Sequence, residues 1–259
     1  MKIKKILISQ PKPQSEKSPY FSIAQKHKVK VDFHQFIRLE PLSTKEFRAQ
    51  HINILDYTAI IFNSKHGVDL FFALCQELKT TLPDSMHYYC VSETVGLYLQ
   101  KYVEFRRRKV FYPATNKLRD LVPLMKKHEE KFMMVLSDVH VDKHINMFAE
   151  NGIEVKPAIV YRTVSNHLDK KVKFDYDMVV LFTPSGVHAL LENFPNLRHN
   201  QGELIIACLG DEAAEAVEKE GLRLDIRVPN KEFTTITAAI DAFIADNHKK
   251  AKRNAEHAE

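Results

Sequence analysis

Short apolar runs alternate with amphipathic stretches along most of the chain. Apolar runs of strand length predict buried strands, and apolar residues recurring near every 3.6 positions predict helices that pack on one face. The predicted strands are residues 5–9, 30–39, 59–63, 88–91, 109–111, 133–136, 156–161, 178–182, 204–209 and 225–228. The predicted helices are residues 20–27, 68–78, 94–102, 117–127, 140–151, 186–193, 213–220 and 235–246. This alternation is typical of α/β proteins with parallel sheets.

The end of the chain departs from this pattern. Residues 248–259 are charged and polar, and they contain almost nothing that a core could bury. We therefore expect a disordered tail over these residues.

Three short motifs occur twice, in the same order, each after an apolar run. The pairs are residues 62–68 with 182–187, 90–95 with 208–213, and 112–115 with 228–231. All three offsets lie between 116 and 120 residues. We infer two copies of one α/β unit, because a solenoid would need more copies at a shorter period.

Hydroxyl side chains and a glycine occupy the turns that follow the predicted strands. In open parallel sheets, ligands bind at this carboxyl edge, where each following helix presents free backbone N–H groups. Such neutral donors suit an anionic ligand, although each hydroxyl alone is also an ordinary helix cap. The turn residues are Ser9, Ser64, Ser92, Ser137, Thr183, Ser185 and Gly210.

Composition and charge narrow the class of protein. The chain has 259 residues, enough for two domains, and a formal net charge of +5 that favours an anionic partner. The one dense basic run, residues 106–109, has no nucleic-acid-binding motif around it. The three cysteines share no metal or redox spacing, and the chain starts with only a short apolar run. We expect a cytoplasmic protein that binds neither nucleic acid nor membrane.

The sequence lacks the motifs of several common kinds of catalytic and binding site. The sequence has no glycine-rich phosphate loop and no GxSxG nucleophile turn. His140 and His144 would share a helix face, but nothing at zinc-like spacing completes a ligand shell, so we expect no metal site. Tyr161 ends a predicted strand, where it either packs or faces a cleft and donates a hydrogen bond to a leaving group.

Four segments, which occur in the same order as in that family, resemble the uroporphyrinogen-III synthases. They are residues 62–68, 152–163, 182–187 and 209–222. The resemblance runs from residue 5 to about residue 244 and implies two similar parallel-sheet α/β domains joined by a two-stranded linker, with a ligand cleft between them. Domain one would be residues 1–38 plus 164–259, and domain two residues 39–163.

The resemblance also implies an activity. Members of this family are lyases of tetrapyrrole (heme) biosynthesis. They cyclise hydroxymethylbilane, a linear tetrapyrrole polycarboxylate, to uroporphyrinogen III, invert its terminal pyrrole ring, and use no cofactor. Tyr161 matches the family tyrosine that assists loss of the hydroxyl group. Ser64, Thr183, Ser185 and Gly186 match the turns that hold substrate, and we add Lys65 and Thr94 from these turns. We expect a monomer.

One turn departs from the family pattern. In the turn at residues 208–213, the sequence has Asp211 and Glu212 where the family has threonines. This turn would lie near a site that binds an anionic substrate. Acidic residues also suit a helix N-terminus. The alternative is therefore a non-catalytic relative that binds an acidic small molecule or a protein partner, and a binding protein for another small anion also stays open.

Overall fold

The computed structural model describes residues 2–139, 141–168 and 174–256, with side chains up to residue 250. Contacts divide the chain into two units. Unit 1 is Met1–Arg38 with Val164–Glu259, and unit 2 is Leu39–Thr163. The chain therefore passes from unit 1 into unit 2 and returns, and each unit has its own sheet and its own core.

Strands and helices alternate in both units. The strands are β1 (Lys5–Ile8), β2 (Lys30–Phe33), β3 (Ile37–Pro41), β4 (Ala59–Phe62), β5 (His87–Cys90), β6 (Val110–Phe111), β7 (Phe132–Ser137), β8 (Val155–Ser165), β9 (Met178–Leu181), β10 (Ile205–Leu209) and β11 (Ile226–Val228). The helices are α1 (Pro19–His27), α2 (Thr44–Arg48), α3 (Lys65–Glu77), α4 (Glu93–Tyr98), α5 (Val122–Met125), α6 (Val141–Ala149), α7 (Pro184–Asn193), α8 (Asp211–Lys219) and α9 (Ile236–Glu256). Short 3-10 helices cover Ile54–Asp56, Leu99–Lys101, Leu118–Leu121 and Pro195–Arg198.

The sheet of unit 1 has the strand order β11-β10-β9-β1-β2, and its strands pair in parallel. Successive residues of a strand face opposite sides of a sheet. Leu7 accordingly packs in a core cluster with α7 and α8, whereas Ile6 and Ile8 pack in a cluster with α1 and α9. Both faces of this sheet are therefore buried, which explains its continuous apolar strands.

The sheet of unit 2 has the order β3-β8-β7-β4-β5-β6, and the strands from β8 to β6 pair in parallel. Ile60 and Phe62 pack with α3 and α4 on one face. Ile61 and Met134 pack with α5 and α6 on the other face. Two mostly parallel sheets covered by helices confirm the predicted α/β class.

One predicted strand, residues 30–39, is wrong as a single element. It is two strands, because β2 pairs with β1 whereas β3 lies beside β8 in the other sheet. The spacing of the apolar positions changes at the break. Val31 and Phe33 are two positions apart, as on one face of a strand, whereas the fully buried Phe36 follows Phe33 by three positions.

The predicted disordered tail is also wrong as far as Glu256. Helix α9 continues to that residue, and residues 257–259 lie outside the described part of the chain. Two contacts with the start of the chain extend the helix beyond its apolar segment. The Asn247 side chain accepts a hydrogen bond from Ile3 N (3.2 Å), and His248 Nε2 lies 2.9 Å from Ile3 O.

Other differences are local. Helix α3 begins at Lys65 rather than Val68, because the Ser64 side chain caps it. The predicted helix 117–127 is a 3-10 helix followed by the short α5, which has a proline in its first turn. Helix α2, which begins after the capping residue Ser43, was missed because its five residues are too few for a periodic pattern.

Within residues 2–139, 141–168 and 174–256, no helix combines the length and the apolar character that crossing a membrane requires.

Candidate functional site

The predicted site residues divide between two sheet edges, one in each unit. The carboxyl edge of unit 2 carries Ser64, Lys65, Ser92, Thr94, Ser137 and Tyr161, and that of unit 1 carries Ser9, Thr183, Ser185, Gly186 and Gly210. Parallel pairing brings the carboxyl ends of neighbouring strands to the same edge. The edge of unit 2 contains the predicted catalytic tyrosine, Tyr161.

Tyr161 lies in a row of polar residues across four neighbouring strands. On β8 it pairs with Ser137 at the end of β7, after a register shift between Leu136 and Ser137. Ser64 follows β4 and Ser92 follows β5, the next two strands of the sheet. The sheet order therefore brings together four side chains that are far apart in sequence.

The Tyr161 side chain is enclosed beside Ser64. Only 6% of the residue is exposed, and the Ser64 hydroxyl lies close to its phenol. Burial raises the pKa of Tyr161 above its ordinary value of 10.0, the nearby Ser64 hydroxyl acts in the opposite direction, and the charge of Asp138 raises the pKa further. The phenol is therefore protonated at neutral pH and can donate a hydrogen bond or a proton.

Ser64 also caps α3. Its backbone is extended (φ −156°), and its hydroxyl oxygen accepts a hydrogen bond from Gly67 N at 3.0 Å. A Cβ atom at position 67 would lie 3.2 Å from Ser64 Oγ and 3.9 Å from Tyr161 Cε1. Glycine at this position therefore lets the first turn of α3 approach both side chains.

Asp138 holds the end of β8 in place, a role that the sequence analysis missed. Its backbone N donates to Tyr161 O at 3.1 Å, and its side chain accepts from Thr163 N at 2.9 Å. The preceding Ser137 is 8% exposed, and its hydroxyl accepts from Val139 N at 3.3 Å. Polar residues directly after a buried strand were the available signal, and Asp138 follows β7 directly.

Ser92 repeats the arrangement of Ser64 on the next strand. It is 8% exposed, and its hydroxyl accepts from Val95 N at 3.3 Å, which caps α4. Thr94 lies in the first turn of α4 and is exposed. Both residues therefore lie at the N-terminus of a helix on the candidate edge.

Lys65 is the first residue of α3 and supplies a cation at this edge. Its Nζ lies 5.3 Å from the ring centroid of Tyr98, a cation–π distance. The Tyr98 hydroxyl in turn donates to Asp69 Oδ2 at 2.9 Å, which links α4 to α3. The ammonium group of Lys65 is therefore held near the first turn of α3.

The edge of unit 1 contains a second hydroxyl cap. Thr183 (φ −147°) accepts a hydrogen bond from Gly186 N at 3.1 Å and caps α7. Ser185 is half-buried in the first turn of this helix, and Gly186 is buried. The turns after β4 and β9, which the internal repeat paired, thus have the same local structure.

Ser9 and Gly210 differ from the capping residues. Ser9 follows β1, and its backbone N donates to Val180 O at 3.0 Å. Gly210 precedes α8 with φ +95°, a conformation that favours glycine, and contributes no capping side chain. Gly210 therefore contributes only backbone groups to this turn.

The acidic turn of unit 1 is partly neutralised. Arg227 on β11 donates from Nη2 to Asp211 Oδ1 at 2.9 Å, and its Nη1 lies 3.8 Å from Glu218. Sequence spacing does not reveal this pair, because it depends on the packing of α8 beside β11.

The cysteine and metal-ligating side chains of the described residues form no second cluster. The described residues include no cluster of three or more potential metal ligands, and His140 lies outside them. Burial raises the pKa of the thiols of Cys75, Cys90 and Cys208 to about 12, which leaves them unreactive.

A family model, uroporphyrinogen-III synthase HemD, matches residues 22–235, most of the chain. The chain belongs to the uroporphyrinogen-III synthase family. No curated protein sequence matches it.

Solved structures of uroporphyrinogen-III synthases show the same fold. The enzyme from Helicobacter pylori aligns over 94% of this chain and 99% of its own, with 16% identity and a TM-score of 0.61. A mutant of the enzyme from Thermus thermophilus aligns over 95% and 99%, with 14% identity and a TM-score of 0.55. At these identities the likeness extends to the fold.

Proposed function

We propose that this chain is an active uroporphyrinogen-III synthase that cyclises hydroxymethylbilane with inversion of the terminal pyrrole ring. The observation that carries the proposal is the enclosed Tyr161 phenol, which lies close to Ser64 and to the first turn of α3. An enclosed, protonated phenol is suited to assist the departure of a hydroxyl group. Family membership supplies the substrate class.

In the proposed reaction, Tyr161 donates to the oxygen of the terminal hydroxymethyl group. The carbon–oxygen bond breaks and water leaves. The electrophilic carbon that remains is attacked by the substituted position of the last pyrrole ring, which gives a spirocyclic intermediate. The bond between that ring carbon and its original methylene bridge then breaks, and the unsubstituted α-carbon of the same ring bonds to the freed bridge, which inverts the ring. This α-carbon loses its proton, which balances the proton donated by Tyr161 and completes the macrocycle.

This sequence of steps is a net loss of water. The net reaction is redox-neutral, so it needs no electron carrier, and we propose that it proceeds without a cofactor. The protein has to fold a flexible substrate and stabilise the charge that develops as the hydroxyl group leaves. The proposal requires no second subunit.

The substrate carboxylates would bind to donors at the strand-end turns. Helix N-termini attract anions through free N–H groups and the helix dipole. In unit 2 these turns contain Ser64, Lys65, Ser92 and Thr94, together with Ser137, and in unit 1 they contain Ser9, Thr183, Ser185, Gly186 and Gly210. A net charge of +5 adds a long-range attraction for a polyanion.

The non-catalytic alternative depends on the acidic turn at Asp211 and Glu212. Two carboxylates near the site would oppose an anionic substrate, but Arg227 pairs with Asp211 at 2.9 Å. This pair reduces the repulsion, and it therefore favours the catalytic proposal over the alternative.

A coupled assay tests the proposal. Hydroxymethylbilane is generated in place, the protein is added, the products are oxidised, and uroporphyrin isomers I and III are separated. We expect mainly isomer III. If folded protein yields only isomer I, which forms spontaneously, the chain is not a synthase, and a search for its acidic ligand or protein partner should follow.

A further inference from the structure

Asn63 carries an unpaired acceptor at the candidate edge. It lies between the last residue of β4 and the capping residue Ser64. Its side-chain Oδ1 atom is enclosed, and none of the described residues donates a hydrogen bond to it. Leaving a buried acceptor unpaired costs stability, so each such atom calls for an explanation.

Two other buried polar atoms in the described residues also lack a partner, His34 Nε2 in unit 1 and Tyr89 OH in unit 2. Tyr89 packs in the cluster beneath α5 and α6, with its ring stacked on Phe111 at 4.8 Å. Asn63 differs from both, because it is next to Ser64, whose side chain lies close to the Tyr161 phenol.

The unpaired oxygen complements the rest of the edge. Hydroxyl, ammonium and backbone N–H groups suit the carboxylates of the proposed substrate. Each pyrrole ring of that substrate also carries an N–H, which needs an acceptor once it leaves water. The Asn63 amide oxygen can accept such a hydrogen bond without breaking one to any of the described residues.

The Asn63 side chain is also able to reorient. The residue as a whole is only half-buried, although its oxygen is enclosed. The terminal torsion of asparagine is soft, so the amide turns at little cost. Turning breaks no hydrogen bond of the oxygen with the described residues.

We propose that the Asn63 amide oxygen accepts a hydrogen bond from a pyrrole N–H of the bound bilane and so orients the substrate beside Tyr161. This inference rests on the proposed synthase function and adds a contact that selects pyrrole rings rather than carboxylates. Asn63 binds substrate and takes no part in bond breaking.

The test compares three variants in the isomer III assay, with thermal unfolding as a second readout. Asn63→Leu keeps the size of the side chain and removes the acceptor. We expect its KM for hydroxymethylbilane to rise about tenfold, the effect of one lost hydrogen bond to a desolvated donor. Its Tm should equal or exceed that of the wild type, because an unpaired buried acceptor has been removed. A structural role for Asn63 predicts the opposite, a lower Tm with an unchanged KM.

Asn63→Asp keeps an acceptor but adds a charge that repels the substrate carboxylates. The ratio of its KM to the wild-type KM should fall towards one as the salt concentration is raised, because salt screens charge repulsion. The relative KM of Asn63→Leu should not respond in this way. Tyr89→Phe is the matched control, since it removes another unpaired buried atom, and it should leave KM unchanged.

An unchanged KM in Asn63→Leu, with wild type active, overturns this inference and leaves the proposed function standing. An equal rise in KM for Asn63→Leu and Tyr89→Phe also overturns it, because the effect would then be general. If wild type forms only isomer I, the proposed function fails and this inference fails with it. If Asn63→Leu does not fold, Asn63→Ala is judged by the same KM criterion.

Discussion

The turns after β4 and β9 have the same backbone structure but different neighbours. Ser64 and Thr183 cap their helices at 3.0 and 3.1 Å, and a Cβ at either following glycine would lie 3.2 Å from the capping oxygen. At Gly67, however, Val135 and Tyr161 also lie within 4 Å, whereas at Gly186 Thr183 is the sole such neighbour among the described residues. The same capped turn therefore lies beside the enclosed Tyr161 in unit 2 and has no corresponding described neighbour in unit 1.

The second pair of turns differs in structure as well. Ser92 caps α4 with its hydroxyl, whereas Gly210 has a positive φ and precedes an acidic turn. On this comparison we propose that unit 2 supplies the chemistry and that unit 1 mainly supplies anion-binding turns. Substitutions at matched positions of the two units test this division.

Tyr161→Phe should lower kcat for isomer III about a hundredfold, because loss of a general acid typically costs a factor of that order or more. The protein should remain folded, since the ring still fills its place in the core. Tyr20→Phe is the matched control in unit 1, because burial also raises the pKa of Tyr20, to about 12. Kinetics and thermal unfolding of both variants would check this prediction.

The raised pKa of Tyr161 gives this prediction a pH test. The phenol donates only while protonated, so its contribution should persist through neutral and mildly alkaline pH and disappear only above its ordinary value of 10.0. A loss of activity near pH 7 that is present in wild type and absent in Tyr161→Phe would contradict this assignment.

Gly67→Ala and Gly186→Ala apply one change to both units. Alanine favours a helix over glycine, so neither variant should lose much stability. At position 67 the added carbon displaces Ser64 and crowds Tyr161, and we expect about a tenfold lower kcat, since small misplacements of reacting groups are costly. Gly186→Ala should change kcat less than twofold. Equal losses in both variants would show that the two edges contribute alike.

Ser64→Ala and Thr183→Ala remove the two caps. Each should lower the free energy of unfolding by about 1 kcal/mol, the typical value of a helix cap. Only Ser64→Ala should also lower kcat, because the Ser64 hydroxyl lies close to the Tyr161 phenol. Denaturant unfolding and the isomer III assay separate the two effects, and a similar kcat for both variants would argue against a role of Ser64 beyond capping.

Arg227→Ala should have the smallest effect. Loss of the arginine uncovers the charge of Asp211, and we expect KM to rise about threefold, in line with the small energies of exposed ion pairs. Asp211→Asn should lower KM or leave it unchanged. Arg198→Ala, which breaks an exposed pair with Glu220 at 3.1 Å, is the control. An unchanged KM in Arg227→Ala would mean that the acidic turn does not act on the substrate.

Much of the fold was predictable because its signals are local. The period of the apolar positions identified most strands and helices, and the repeated turn at residues 62–68 and 182–187 indicated two copies of one unit. The merged strand at 30–39 shows where this fails, since β2 and β3 lie close together in sequence but belong to different sheets. The sheet to which each strand belongs depends on its neighbour, which is β1 for β2 and β8 for β3. Both neighbours are far from these strands in sequence.

The sequence by itself determined the class of fold, the hydroxyl caps and the family resemblance, because periodicity, capping and ordered motifs are all read from neighbouring residues. Only the tertiary structure decided that Tyr161 lies beside Ser64, that Arg227 pairs with Asp211, and that the Asn63 oxygen has no described partner. These facts depend on strand order and packing between residues far apart in sequence, and local preferences do not encode them.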